Sequence, residues 1–198
     1  MSQLGSGAGT FVRANNTVGY FLPAMGGLYG QFQMAAGEGA TGNKYMGGRL
    51  GYAAGPLNVA GAWGKTDKTG TMIDDYTDMN FGLSYNMGFM TLMTQYSKRE
   101  YNKDDQNTIL LGGNIPMGAG TFKVSYVKTS GSASKWEANQ ISLGYVYDLS
   151  KRTSLYGHYA RVKNETGASF KASGSGPATG ALTGFTSTGY EFGMRHNF

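Results

Sequence analysis

The last ten residues, Gly189-Tyr-Glu-Phe-Gly-Met-Arg-His-Asn-Phe198, alternate strictly between two kinds of side chain. Tyr190, Phe192, Met194, His196 and Phe198 fall on one side of an extended chain, and Glu191, Gly193, Arg195 and Asn197 on the other. A strand has this period of two, so it can present one greasy face and one wet face. The greasy face carries aromatic residues up to Phe198. That suits a transmembrane β-barrel, whose aromatic girdle sits where hydrocarbon meets water.

The same alternation recurs along the chain. Phe81, Leu83, Tyr85 and Met87 oppose Asn80, Gly82, Ser84 and Asn86. Ile109, Leu111, Gly113 and Ile115 oppose Thr108, Gly112 and Asn114. Phe122, Val124 and Tyr126 oppose Thr121, Lys123 and Ser125. Ile141, Leu143, Tyr145, Tyr147 and Leu149 oppose Gln140, Ser142, Gly144 and Asp148. Segments near 17–22, 28–36, 44–54, 57–65, 90–101 and 153–163 read the same way. A helical reading fails, because Gly47-Gly48 and Gly112-Gly113 would each cost about 1 kcal/mol per glycine and the apolar residues lack i, i+3, i+4 spacing.

Mean hydropathy is −0.34, which looks soluble. No apolar run approaches the ~18 residues of a membrane helix. A barrel escapes both tests, because only every second residue meets lipid. Charged residues make up 15% of the chain, against about 25% in soluble domains. Together with 33 glycines and 13% aromatics, this fits a strand-rich membrane protein. A fibrous or amyloid-like β protein shares that composition. The absence of cysteine excludes a disulfide scaffold and cysteine-type zinc sites.

Tight connections alternate with longer polar ones. The tight ones lie at Pro23–Gly27, Ala54–Pro56, Met87–Phe89, Pro116–Gly120 and Leu149–Arg152, rich in turn residues. The longer ones are expected at 37–43, 66–77, 102–106, 129–138 and 164–188. Tight turns recur every ~32 residues, one hairpin with its loop, and this asymmetry is that of an outer-membrane barrel with short periplasmic turns and long extracellular loops. The spacing predicts about eleven strands. An antiparallel barrel closes only when its end strands run oppositely, so an odd count predicts an open part of a larger barrel. The start, Met1-Ser-Gln-Leu-Gly-Ser-Gly7, has neither the basic segment nor the apolar core of a signal peptide. An outer-membrane protein requires one, so truncation at the N-terminus is expected. The chain is read as one partial barrel domain over 1–198. Residues 1–12 are the remnant of a loop, 13–198 carry the strands, and 164–188 form a long flexible loop.

Four segments carry a resemblance. They are Phe11-Val-Arg13-Ala-Asn15-Asn16-Thr17-Val-Gly-Tyr20 with Pro23 and Gly26-Gly27, then Gly47-Gly-Arg49-Leu-Gly-Tyr52, then Tyr145-Val-Tyr147-Asp-Leu-Ser150-Lys151-Arg152-Thr153-Ser-Leu-Tyr156, and the closing Gly189–Phe198. They resemble the Gram-negative general porins, the betaproteobacterial type in particular. That family often has a basic residue where this chain has Gly19. The resemblance implies a trimeric, sixteen-stranded barrel in the outer membrane for passive diffusion of small hydrophilic solutes. This chain would supply roughly the last eleven strands, without the first five or most of the inward-folded loop that narrows the pore. It also implies that the closing strand, with Tyr190 and Phe198, is read by the outer-membrane assembly machinery.

If the apolar faces meet lipid, Arg13, Arg49, Arg99, Lys123, Arg195 and Glu191 point into the lumen by parity. An arginine facing lipid at the midplane would cost about 2–4 kcal/mol. Lumenal arginines set a positive potential along a permeation path. With a net charge of +5, the expectation is a pore that prefers anions. A solvated wall with little effect on selectivity is the plainer reading of the same residues. Lys65, Lys98 and Arg161 fall on nominally apolar faces near strand ends and are read as rim residues that snorkel. Met46, Met79, Met87 and Met90 are read as lipid-facing rather than as cofactor ligands.

Little points to chemistry. His158 and His196 are the only histidines, His196 on the apolar face and His158 ambiguous. No serine-centred motif stands near either, so an outer-membrane hydrolase is disfavoured. No pair of ligands has metal spacing, and Asp74-Asp75 and Asp104-Asp105 read as solvated loop carboxylates. Lysines and arginines are scattered rather than striped, which argues against nucleic acid. No enzyme activity and no cofactor are expected. The rival function is a structural or adhesive outer-membrane barrel with a plugged lumen. It would need larger inward groups than the Gly, Ser, Asn, Gln, Thr and Arg read here.

Overall fold

The computed structural model describes residues 13–37, 39, 44–67, 74–132, 136–165, 167–172 and 183–198. They form one antiparallel sheet of eleven strands, each hydrogen-bonded to its sequence neighbours. The strands are β1 (Thr17–Phe21), β2 (Leu28–Ala35), β3 (Tyr45–Ala54), β4 (Leu57–Thr66), β5 (Tyr76–Asn86), β6 (Thr91–Tyr101), β7 (Asp104–Met117), β8 (Gly120–Gly131), β9 (Glu137–Asp148), β10 (Thr153–Asn164) and β11 (Thr186–His196). No helix among the described residues is long and apolar enough to cross a membrane, which says nothing against crossing by strands. From β3 onward the strands have 10 to 14 residues. A tilted transmembrane strand needs about 9–11.

The strand count and the tight turns agree with the alternation in the sequence. One connection differs. Residues 102–106 were expected as a longer loop, but β6 and β7 are joined by Asn102 and Lys103 alone. Both have positive φ, 55° and 70°. Two successive left-handed residues make the type I′ geometry that matches the twist of a hairpin. The polar run Asp104-Asp105-Gln106 therefore continues the strand above the apolar band.

The first strand begins at Thr17, so Arg13 lies ahead of any strand, at an exposed position. The supposed loop remnant at 1–12 lies outside the described residues. At the other end, Asn164 closes β10 and Thr186 opens β11. The connection expected to be flexible over 164–188 is in part packed. Ala168 and Phe170 are buried with Ala138 and Val162, against Trp136 and Ala172. The Trp136 and Phe170 rings meet edge-on at 5.3 Å. The Asn164 amide donates to Phe170 O and Phe185 O, both at 2.9 Å, and its Oδ1 accepts from Phe170 N at 2.7 Å. Satisfying both ends of a buried amide holds this turn onto the sheet. Residues 173–182 lie outside the described residues.

The rest of the sheet has no interior of the globular kind. Leu50, Phe81, Leu111, Ile141 and Leu155 line up on one face and are exposed. A continuous apolar face of this extent far exceeds the few hundred Å² that soluble monomers leave bare. Its chemistry is that of a lipid-facing wall.

β1 and β11 do not pair with one another among the described residues. Both run toward the tight-turn end, so they would meet parallel, not antiparallel. Each unpaired backbone group in hydrocarbon costs several kcal/mol. Purified alone and reconstituted in planar bilayers, the 198-residue chain should therefore give no uniform, long-lived channel steps. Recording such steps would contradict the open sheet.

Candidate pore-facing surface

Register carries each strand's parity to the next. Gln31 pairs with Arg49, Arg49 with Ala62, Ala62 with Asn80 and Asn80 with Ser97. One residue along each strand, Phe32, Gly48, Trp63, Met79 and Lys98 form the neighbouring row on the opposite face. Arg49, Arg99, Lys123, Glu191 and Arg195 all stand on the polar face. Arg13 lies outside the strands, where parity gives it no face.

The polar face holds two clusters. The first lies over β2–β6 and encloses a cavity of about 350 Å³ lined by Gln31, Gln33, Arg49, Asp78, Asn80 and Arg99 among others. Asp78 is its anchor. Its Oδ2 accepts from Arg99 Nε and from the Tyr76 hydroxyl, each at 3.1 Å, and its Oδ1 accepts from Asn80 Nδ2 at 3.0 Å. Gln95 extends the network to Asn80 at 3.3 Å. Arg99 and Asp78 are register partners on adjacent strands, so their charges cancel in place.

Arg49 is held differently. Its guanidinium carbon lies 5.6 Å from the centre of the Tyr29 ring, within reach of a cation–π contact. The Tyr29 hydroxyl donates to Asn58 Oδ1 at 2.6 Å. Tyr29 can lie flat because Gly51, its register partner, has no side chain, and a Cβ there would collide with the Tyr29 ring. Among the described residues, no carboxylate forms an ion pair with Arg49, Lys123 or Arg195.

The second cluster lies over β7–β11 around a cavity of about 590 Å³. One cross-strand row supplies Glu191, His158, Gly144, Lys123 and Asn114. His158 thus lies on the polar face, which its sequence context left ambiguous. Its Nδ1 is 2.9 Å from Glu191 Oε1. The Tyr156 ring stacks on it at 5.3 Å. A Cβ on Gly144 would strike the imidazole, so glycine here is what lets the ring lie across β9.

His196 stands on the apolar face, with Nδ1 2.9 Å from Thr153 Oγ1 and the Phe198 ring edge-on at 5.0 Å. Tyr190 and Phe198 are exposed on the apolar side of the edge strand and the segment after it. The rim lysines sit at the loop ends of their strands with acidic partners. Lys65 pairs with Asp75 at 2.7 Å, Lys98 with Glu100 at 2.5 Å, Lys128 with Glu137 at 2.9 Å and Lys163 with Glu165 at 2.9 Å.

Sequence reading missed Asp78, although it shares parity with Asn80. It also missed the inward tyrosines Tyr29, Tyr45, Tyr76 and Tyr156, because tyrosine was scored as apolar. Their hydroxyls are the clue, since a ring with a polar tip suits a wet face as well as a membrane interface. Among the described residues no group of three or more His, Cys, Asp or Glu could hold a metal ion.

A sheet with one lipid-type face, one polar face and turns of unequal length at its two ends defines an outer-membrane β-barrel protein. A family model described as Gram-negative porin matches residues 1–167. Outer membrane porin protein 32 of Delftia acidovorans is 33% identical over 201 residues, covering 94% of this chain and 57% of that protein. The anion-selective porin from Comamonas acidovorans superposes with a TM-score of 0.79 at 33% identity, covering 93% of this chain and 60% of that one. A trimer form of OmpT from Vibrio cholerae shares the fold at 16% identity and a TM-score of 0.65, covering 91% of this chain and 64% of that one. The chain belongs to the Gram-negative porin family, a family of outer-membrane channels and not of enzymes. It spans a little under two thirds of the length of these relatives.

The Arg99–Asp78 pair and Arg49 make unequal contributions to the field over this face. In a closed barrel carrying these strands, Arg99→Gln combined with Asp78→Asn should leave the anion-to-cation permeability ratio unchanged. Arg49→Gln should lower it. Reversal potentials under a KCl gradient decide. An equal fall in both would mean that the Asp78 charge does not offset Arg99.

Proposed function

We propose that this chain forms eleven strands of a closed, water-filled barrel that passes small hydrophilic solutes by diffusion and prefers anions. The carrying observation is the polar face itself, where among the described residues Arg49 and Lys123 stand without carboxylate partners while Arg99 is neutralised. Cations at a hydrated wall favour anions along the path. Low-dielectric walls focus that field, so charge inside the barrel counts for more than charge on the loops. Loop charge is further screened within about 8 Å at physiological salt. The anion selectivity of the Comamonas relative agrees with this reading.

The remaining strands would come from a part of the protein beyond this sequence. Coverage of the relatives and the two unpaired edges support that arrangement. The complete protein is proposed to assemble as a homotrimer in contact with outer-membrane lipid. The plugged-lumen alternative finds partial support in the apolar cluster of Val162, Ala168 and Phe170 on the polar face. That cluster covers only the loop end of β9–β11 and leaves both cavities open.

Arg49→Glu in the complete barrel should weaken or reverse the anion preference. Arg49 lies mid-strand on the polar face, its guanidinium over the Tyr29 ring. The measurement is again the reversal potential. Equal permeability ratios for parent and mutant would make Arg49 a solvated wall residue only.

Phe198 and Tyr190 are proposed to act in assembly, through the outer-membrane assembly machinery. Phe198 projects past β11 on the apolar side, where an aromatic ring anchors a strand end at the interface. Deleting Phe198 from the complete protein should reduce its outer-membrane yield while the molecules that do assemble keep their conductance. Unchanged yield would count against an assembly role.

A further inference from the structure

The His158 row offers a second control of selectivity. Its residues are on adjacent strands about 4.8 Å apart. Glu191 on β11 touches His158 on β10, the imidazole lies over Gly144 on β9, and Lys123 on β8 stands beyond it. They share a cavity of about 590 Å³. We propose that His158 is a selectivity-determining residue of the pore wall, which adds a positive charge to the Lys123–Glu191 row in acid and so increases the preference for anions. This rests on the porin reading.

The charge arithmetic is local. With His158 neutral, the row holds one cation and one carboxylate, Lys123 and Glu191, which do not touch but sum to zero. With His158 protonated, the row carries one positive charge facing water. Histidine is the side chain whose ordinary titration falls between about pH 5 and 8. Carboxylates stay ionised through most of that window. Other groups near the imidazole do not duplicate its response. From β11 it meets Glu191, with Arg195 further along the strand. From β9 it meets Gly144 and Ser142, while Asp148 lies toward the strand end and accepts from Ser154 Oγ at 2.6 Å. From β8 it faces Lys123. On its own strand Tyr156 stacks against it. Ala172 of the following segment lines the same cavity and brings no charge. His196 is on the opposite face, at Thr153, away from the aqueous path.

A purely structural role is the competing account, in which the His158–Glu191 contact only ties β10 to β11. The two accounts differ in what pH does to selectivity. The complete barrel is reconstituted in planar bilayers, and reversal potentials under a KCl gradient are read at pH 8 and pH 5.5. The anion-to-cation permeability ratio of the parent should rise by roughly twofold on acidification, since one charge in a lumenal ring is a selectivity device. His158→Gln should lose most of that rise. Glu191→Gln should keep the rise, because the imidazole still gains its proton, and should start from a higher ratio. His196→Gln serves as the control and should match the parent. A rise in His158→Gln equal to the parent's overturns the proposal while leaving the porin reading intact. Failure of the parent to conduct at all would instead overturn the porin reading. No rise in a conducting parent would show the structural account to be correct.

Discussion

The structure depends on the unbroken backbone ladder. In hydrocarbon, water is not there to satisfy a free N–H or C=O, so a spanning sheet must pair every strand with its neighbour. Pairing also locks register, and register decides which face each side chain takes. Slipping β3 by one residue would exchange Arg49 for Leu50 at the lipid face, at a cost of about 2–4 kcal/mol for the arginine alone near the midplane. Arg99 and Lys123 lie nearer strand ends, where the same exchange costs less, falling to about 0–1 kcal/mol at the interfaces. Ten neighbouring pairings enforce one parity across the sheet. The positions of the charged residues are therefore a consequence of the ladder.

The many glycines serve that wall in a specific way. Several inward rings lie over a glycine on the neighbouring strand. Tyr29 covers Gly51, Tyr45 covers Gly64, His158 covers Gly144, and Tyr156 covers Gly193. Three of these are direct register pairs, namely Tyr29 with Gly51, His158 with Gly144 and Tyr156 with Gly193. An aromatic ring laid over a glycine shields otherwise bare backbone, as in aromatic rescue of strand glycines. It also keeps the ring against the wall, so large side chains face inward without filling the lumen. Sequence reading took a wall of small residues as the mark of an open lumen. The structure reaches an open wall with large residues laid flat.

The fold was legible because period-two alternation is a property of single strands. Strand positions, the tight turns and the odd count could all be read locally. Loop lengths were less legible, since polar character marks the end of the apolar band and not the end of the strand. Asp104, Asp105 and Gln106 are polar and still paired in β7. The site was only half legible for a related reason. Parity gives a face and says nothing of partners across strands. Arg49 and Arg99 read alike in sequence, yet one stacks on Tyr29 and the other is held by Asp78 some twenty residues earlier. His158 was ambiguous because Tyr156 and Ala160, its neighbours in parity, suit either face. Its pairing with Glu191 and Gly144 removes the ambiguity.

Partners also change what the net charge means. The chain carries +5, and a cation paired with a carboxylate adds nothing to that sum. Lys65, Lys98, Lys128 and Lys163 sit at the loop-end rim beside acidic partners. Exposed pairs of this kind contribute about 0–1 kcal/mol each to stability. They act more clearly on the field, since each forms a neutral unit at the loop-end rim, away from any permeation path. On the polar face Arg99 is likewise neutralised by Asp78. Among the described residues the polar-face charges besides that pair are Arg49, Lys123 and Arg195 on one side and Glu191, Asp104 and Asp148 on the other, the last two at strand ends. Coulomb energy falls with distance and with dielectric, so these few wall charges outweigh a larger number at the rim. The quantity that matters for selectivity is the unpaired charge on the face that water reaches.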